Sequence, residues 1–182
     1  MLQQKPNTRR VIYLAVILGG ILFDALSKWL VVRFLKPISS LPLWEGVLHF
    51  TYVENRGAAF GMLSGHRWIF MIFSSIAILA IAAYLFRDRS YLSDKDENGA
   101  YPPIPFWMGI SLAAIVSGGI GNMIDRISLG YVVDFIDFTL INFAVFNVAD
   151  IFVTVGAFAL ALCVLLPLII SELKKNKNGS RS

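Results

Sequence analysis

The sequence predicts an all-α membrane protein with four transmembrane helices and a small β-rich or amphipathic extracytoplasmic segment at the outer interface. Three observations predict it. Hydrophobic residues make up 57% of the chain and charged residues 15%, with a mean hydropathy of +0.67; soluble domains average nearer a quarter charged. Four apolar stretches are close to the 20 or so residues that a spanning helix needs. Basic residues gather in alternate connections between those stretches, as they do around membrane spans.

The predicted spans are 11–32, 68–86, 104–124 and 149–170, within one integral membrane domain covering 1–182. The first is interrupted by Asp24, Ser27 and Lys28, and the second carries no charge. The third contains Ser117-Gly118-Gly119-Ile120-Gly121, a run of small residues suited to close helix contact. Asp150 stands at the start of the fourth. Lys5, Arg9 and Arg10 imitate the basic start of a secretory signal. No clean small-x-small cleavage site follows, so the first stretch is expected to remain as a span. The N-terminal tail, the 87–103 loop and the C-terminal tail hold ten basic residues, against five in the other connections. This bias places both termini in the cytoplasm, with segments 33–67 and 125–148 outside. The cytoplasmic loop, with Asp94, Asp96 and Glu97, is expected to be a solvated linker. Segment 41–53 is apolar and aromatic, yet too short and too broken by Pro42 and Gly46 to span. Trp44, Phe50 and Tyr52 suit the headgroup zone, so short strands or an amphipathic piece should lie on the outer surface and could roof a site there.

Ionisable groups within a membrane are costly and point to function. Asp24 lies 13 residues beyond Val11, roughly 20 Å into a core of about 30 Å, which is its outer half. Lys28 is one turn further out. Asp125 and Arg126 are expected at the outer end of the third span, Asp134 and Asp137 in the second outer loop, and Asp150 at the outer end of the fourth. Asn55, Asn122 and Asn147 fall at the same level. Simpler readings exist for each: an i,i+4 pair of Asp24 with a snorkelling Lys28, an interfacial Asp125–Arg126 pair, and a helix cap at Asn147 or Asp150.

The chemistry permitted by this inventory is narrow. There is no His-Glu-x-x-His, and His49 and His66 are the only histidines. No Gly-x-Ser-x-Gly elbow occurs, and Ser27 and Lys28 are adjacent, so they point to different helix faces. Cys163 is alone in an apolar run, which suits helix packing and excludes an intrachain disulfide. No metal or other cofactor is expected, and the scattered basic residues do not form a nucleic-acid footprint. A pair of carboxylates remains. Two close Asp side chains share a proton, one acting as base toward water and the other as acid. Composition does not choose the pair among the candidate acids.

Five ordered blocks carry a resemblance: Asp24-Ala-Leu-Ser-Lys28, Asn55-Arg-Gly-Ala-Ala-Phe60-Gly61, Gly121-Asn122-Met-Ile-Asp125-Arg126, Val132-Val133-Asp134-Phe135-Ile136, and Phe146-Asn147-Val148-Ala149-Asp150. In a four-span frame they make the chain resemble lipoprotein signal peptidase, or signal peptidase II. The resemblance implies an aspartic endopeptidase that acts on diacylglyceryl-modified prolipoproteins at the bacterial inner membrane, cleaving just before the lipidated cysteine near the outer face. It implies Asp134 and Asp150 as catalytic residues, with Asp24, Lys28, Asn55, Gly57, Asn122, Asp125, Arg126 and Asn147 shaping the site. Asp137 has no place in the motif. Ala25 stands where the family often has Gln, while Arg56 and Met62 fall at variable positions. The expected partners are diacylated prolipoproteins and membrane lipid; one chain supplies every site group, so a monomer is expected. A proton-coupled transporter would also suit four spans and Asp24, but its site should lie near the midplane between repeats. Here the acids lie near one face and no repeat is visible. A scaffold subunit leaves acids in apolar surroundings unexplained.

Overall fold

A computed structural model of the chain describes residues 6–57, 67–86 and 104–179. The expected 87–103 linker, Gly61 and His66 lie outside the described residues. The elements are α1 (Pro6–Leu30), a π-helical turn (Val31–Leu35), β1 (Ser40–Trp44), β2 (Leu48–Asn55), α2 (Arg67–Phe86), α3 (Phe106–Ser128), β3 (Val132–Asp137), a short 3-10 turn (Thr139–Ile141) and α4 (Val148–Gly179). Among the described residues three helices are long and apolar enough to cross a membrane: Thr8–Leu35, Phe106–Ser128 and Val148–Lys175. The apolar stretch described in α2, Met71–Phe86, is shorter.

Helix α3 packs against α1, α2 and α4, and the small residues along it make this possible. A Cβ on Gly118 would collide with the Ala149 carbonyl, and one on Gly121 would stand 2.6 Å from Asp24 Oδ2. Gly20 of α1 faces Ser117, whose hydroxyl donates to the Ile17 carbonyl at 3.1 Å. Tyr13, Ile17, Leu85, Leu112, Ala113 and Val116 fill the centre of the bundle. Leu18, Leu22, Phe73, Leu79 and Phe158 remain on the outside. Lipid tails are as apolar as these side chains and demand no polar cover.

The helix ends differ from the sequence expectation in a way that matters. The first helix begins at Pro6 and ends in a π-helical turn, where the Lys36 amide donates to the Val31 carbonyl at 2.9 Å. That turn buries Val31 and Leu35 against Val133, Phe135 and Val148. Helix α3 runs on to Ser128, so Asp125 and Arg126 lie within its last turn rather than closing it.

The strands form one antiparallel sheet in the order β1-β2-β3. Segment 41–53 thus supplies strands, as one of the two expected forms. Every residue of β1 is exposed, whereas β2 is half-buried. The chain after β3 is clipped back onto it: Ile136 and Phe146 exchange backbone hydrogen bonds of 2.8 and 3.0 Å. This clip delivers the start of α4 to the side of β3.

Candidate active site

Helix α4 begins with a reciprocal cap. Asn147 Oδ1 accepts from the Asp150 amide at 3.0 Å, and Asp150 Oδ2 accepts from the Asn147 amide at 3.1 Å. A residue at the N-cap and an acid three positions later satisfy two helix-end donors at once. Of the two cap alternatives Asn147 is therefore the N-cap, while Asp150 is the third residue of the helix, and the cap also fixes the Asp150 carboxylate. Its other oxygen, Oδ1, accepts from Asn122 Nδ2 at 2.8 Å.

Asp134 reaches the same place from β3. Alternate strand residues face opposite ways. Val133 and Phe135 enter the apolar cluster beneath the sheet, while Val132 and Asp134 face a cavity. Asp137 takes the other parity from Asp134 and accepts from the Thr51 hydroxyl at 2.8 Å, away from that cavity. Asp134 is 2% exposed. Oδ1 accepts from Asn147 Nδ2 at 2.6 Å and Oδ2 from Asn55 Nδ2 at 2.8 Å. The Asn55 amide is oriented in turn, because its Oδ1 accepts from the Gly57 amide at 3.0 Å. Burial pushes the Asp134 carboxyl up to about 6, opposed by the Asn55 and Asn147 hydrogen bonds and reinforced by the charge of Asp150.

Behind the two acids lies a buried ionic layer. Lys28 Nζ sits 2.8 Å from Asp24 Oδ2, 3.0 Å from Asp125 Oδ2 and 3.0 Å from Asn122 Oδ1. Lys28 is 4% exposed, so it turns inward and does not snorkel. Asp24 Oδ1 accepts from the Ala149 amide at 3.0 Å, and Asp125 Oδ2 from the Val133 amide at 3.1 Å. The layer therefore grips α4 one residue before Asp150 and β3 one residue before Asp134. Asn122 connects it to the acids. Its Oδ1 also accepts from Asn147 Nδ2 at 3.0 Å, so its NH2 group is left to face Asp150.

The cavity, about 910 Å³, is lined by Asn55, Gly57, Asn122, Arg126, Asp134 and Asp150 of the expected residues. Asp24, Lys28, Asp125 and Asn147 do not line it but hold those that do. Arg126 faces the cavity and donates to the Asn122 carbonyl at 3.2 Å, while Asp125 pairs with Lys28, so the two are not the interfacial pair one reading foresaw. The expected roof is also revised. Of segment 41–53 only Val53 lines the cavity; the remaining cover comes from Glu54 and Arg56 at the end of β2 and from 142–146 before α4. Thr154 lines it as well. It lies one turn beyond Asp150, a position that i,i+4 spacing could have flagged. The 142–146 cover had no such signal, since its placement depends on the Ile136–Phe146 clip.

Two acids that line one cavity, one of them pushed up by burial so that it holds a proton to about pH 6, can act as a general acid and base pair.

A sequence model of signal peptidase (SPase) II matches residues 14–166. The chain is 41% identical over 155 residues to a lipoprotein signal peptidase of Clostridioides difficile, covering 85% of this chain and 95% of that one. It is 42% identical over 146 residues to the lipoprotein signal peptidase of Caldanaerobacter subterraneus, covering 80% and 90%. A third, from Streptococcus agalactiae, is 35% identical over 170 residues, covering 93% and 99%. A solved bacterial membrane enzyme superposes with a TM-score of 0.69 at 28% identity, covering 85% of this chain and 87% of that one.

Proposed function

Because the chain belongs to the signal peptidase II family, we propose that it cleaves diacylglyceryl-modified prolipoproteins just before the lipidated cysteine, using Asp134 and Asp150 to activate water. It is an aspartic-type protease embedded in a bacterial membrane, and the family removes signal peptides from prolipoproteins. The single observation that carries the finer reading is the shared cavity, which Asp134 and Asp150 both line from separate elements.

In this mechanism one carboxylate takes a proton from water, and the resulting oxygen nucleophile attacks the scissile carbonyl. The other carboxyl donates its proton to the carbonyl oxygen; when the tetrahedral intermediate collapses, the proton taken from water passes to the leaving nitrogen and the intermediate's hydroxyl returns a proton to the second carboxylate. Asp134 is the proton holder, since burial raises its carboxyl. Asn55, Asn122 and Asn147 orient the pair, Arg126 and Gly57 shape the cavity wall, and Asp24, Lys28 and Asp125 lock the elements that carry them. The apolar part of the wall, including Phe143, Phe146, Ile151 and Val155, suits a substrate held at membrane level by acyl chains. One chain supplies every group, so the monomer is the working unit and no cofactor takes part.

The topology that fits is four crossings with both termini cytoplasmic and the cavity at the outer face. Reporter fusions at the C-terminal tail and within β1 should report opposite sides; the same side for both rejects it. For the dyad, Asp134→Asn and Asp150→Asn should each reduce cleavage about 100-fold or more while still inserting in the membrane. Full cleavage by either variant excludes the pair.

A further inference from the structure

The rim of the cavity holds a charged cluster that the proposed chemistry does not use. Glu54 accepts from Arg56 Nη2 at 2.9 Å, Tyr52 hydroxyl at 3.1 Å and Lys36 Nζ at 3.2 Å. The Arg56 guanidinium lies over the Tyr131 ring, 5.2 Å from its centroid, and Lys36 lies over Tyr52 at 5.0 Å. Arg56 first and then Lys36 hold the Glu54 carboxyl below the usual carboxylate range, so it is ionised at neutral pH. Two cations facing one anion leave the cluster a net positive charge. The Arg56 side chain is 65% exposed, yet it lines the cavity that holds Asp134 and Asp150. It also adjoins Asn55, which binds Asp134 directly.

The ligand for such a group must be anionic, or rich in acceptors, and must lie at the wet edge of the cavity. The acyl chains and signal helix of a prolipoprotein lie in the membrane, and a diacylglyceryl group carries no charge. The part of the substrate that passes the rim is the polypeptide leaving the scissile bond toward water. A planar guanidinium held over a ring presents its N–H edge to a carboxylate, which a flexible ammonium does less well.

We propose that Arg56, positioned by Glu54 and Tyr131, is a specificity-determining residue that binds a carboxylate side chain in the first residues after the lipidated cysteine. This inference rests on the proposed function above. It assigns the rim to the mature side of the substrate and leaves bond cleavage to the acids within.

The test uses full-length protein in phosphatidylcholine vesicles and three diacylated prolipoproteins that differ only in two residues after the cysteine: acidic, neutral or basic. The wild type should cleave the acidic form with about fivefold higher kcat/KM than the basic one, the upper end of what an exposed ion pair gives. The difference should lie in KM and shrink with added salt. Arg56→Gln should remove the preference with kcat unchanged, and Arg56→Glu should invert it. A preference that survives Arg56→Gln, or no preference in the wild type, overturns the proposal. So does an Arg56 effect that appears on the neutral substrate only when phosphatidylglycerol is added, because the rim then binds a lipid headgroup. If the wild type cleaves none of the three, the reading of function fails and this inference falls with it.

Discussion

At the scale of single residues, the account depends on Asp134 holding a proton. Its carboxyl is raised from 3.8 to about 6, chiefly by burial. A raised acid is stabilised in its neutral form, so the folded protein binds this proton more tightly than the unfolded chain. The associated stability is complete below pH 3.8 and is lost as pH rises through about 6. In a dyad that works with one proton, kcat/KM should fall as pH rises through that same region, and the limb belongs to the pair as a unit. Asn55 pulls the value down by hydrogen-bonding the ionised form. Asn55→Ala should therefore move the alkaline limb to higher pH. A limb that stays in place in a pH–rate series would separate Asp134 from the proton-holding role.

The residues of this layer were visible in the sequence because polar side chains in apolar surroundings stand out. Asp24, Lys28, Asn122 and Asp150 announce themselves that way. Their pairing was not visible. Lys28 could equally have reached the interface, and what turns it inward is Asp125 arriving on α3. The cluster of Arg56, Glu54 and Tyr131 has no sequence signal, because its members come from a strand end and a loop that ordinary spacing rules do not connect.

At the scale of elements, the position of Asp150 depends on how closely α3 and α4 approach. Gly118 sets that approach, since a Cβ there meets the Ala149 backbone carbonyl. Gly118→Ala should cost about 1–3 kcal/mol and, by pushing out the first turn of α4, also lower activity. Gly19→Ala is the control: nothing lies within 4 Å of its would-be Cβ, and the change should be neutral or stabilising by up to about 1 kcal/mol. Thermal unfolding in detergent and a cleavage assay on both variants check this. Equal behaviour of the two would show that the small-residue seam does not set the site. The sequence displayed that seam plainly as Ser117-Gly118-Gly119-Ile120-Gly121. It displayed helix ends less well. The continuation of α1 into a π-helical turn has no sequence mark, and α3 carries Asp125 past the expected end because its carboxylate is satisfied internally by Lys28 and the Val133 amide.

At the scale of the whole molecule, the architecture joins two different constraints. Long apolar helices fix the depth of Asp24, Lys28 and Asn122, while a small antiparallel sheet brings Asn55 and Asp134 to the same level from the side. The first constraint is written in hydropathy and was readable directly. The second depends on β2–β3 pairing between residues far apart in the chain, from Asn55 with Val132 to His49 with Asp137, which the sequence hints at only through the aromatic character of segment 41–53. A cavity with a polar floor and an apolar cover suits the proposed function, in which a lipid-anchored cysteine presents the scissile bond. Purified protein incubated with a diacylated prolipoprotein and with its unlipidated form tests this directly. The account predicts cleavage of the first, just before the modified cysteine, and none of the second. Equal cleavage of both, or cleavage of neither, would contradict it.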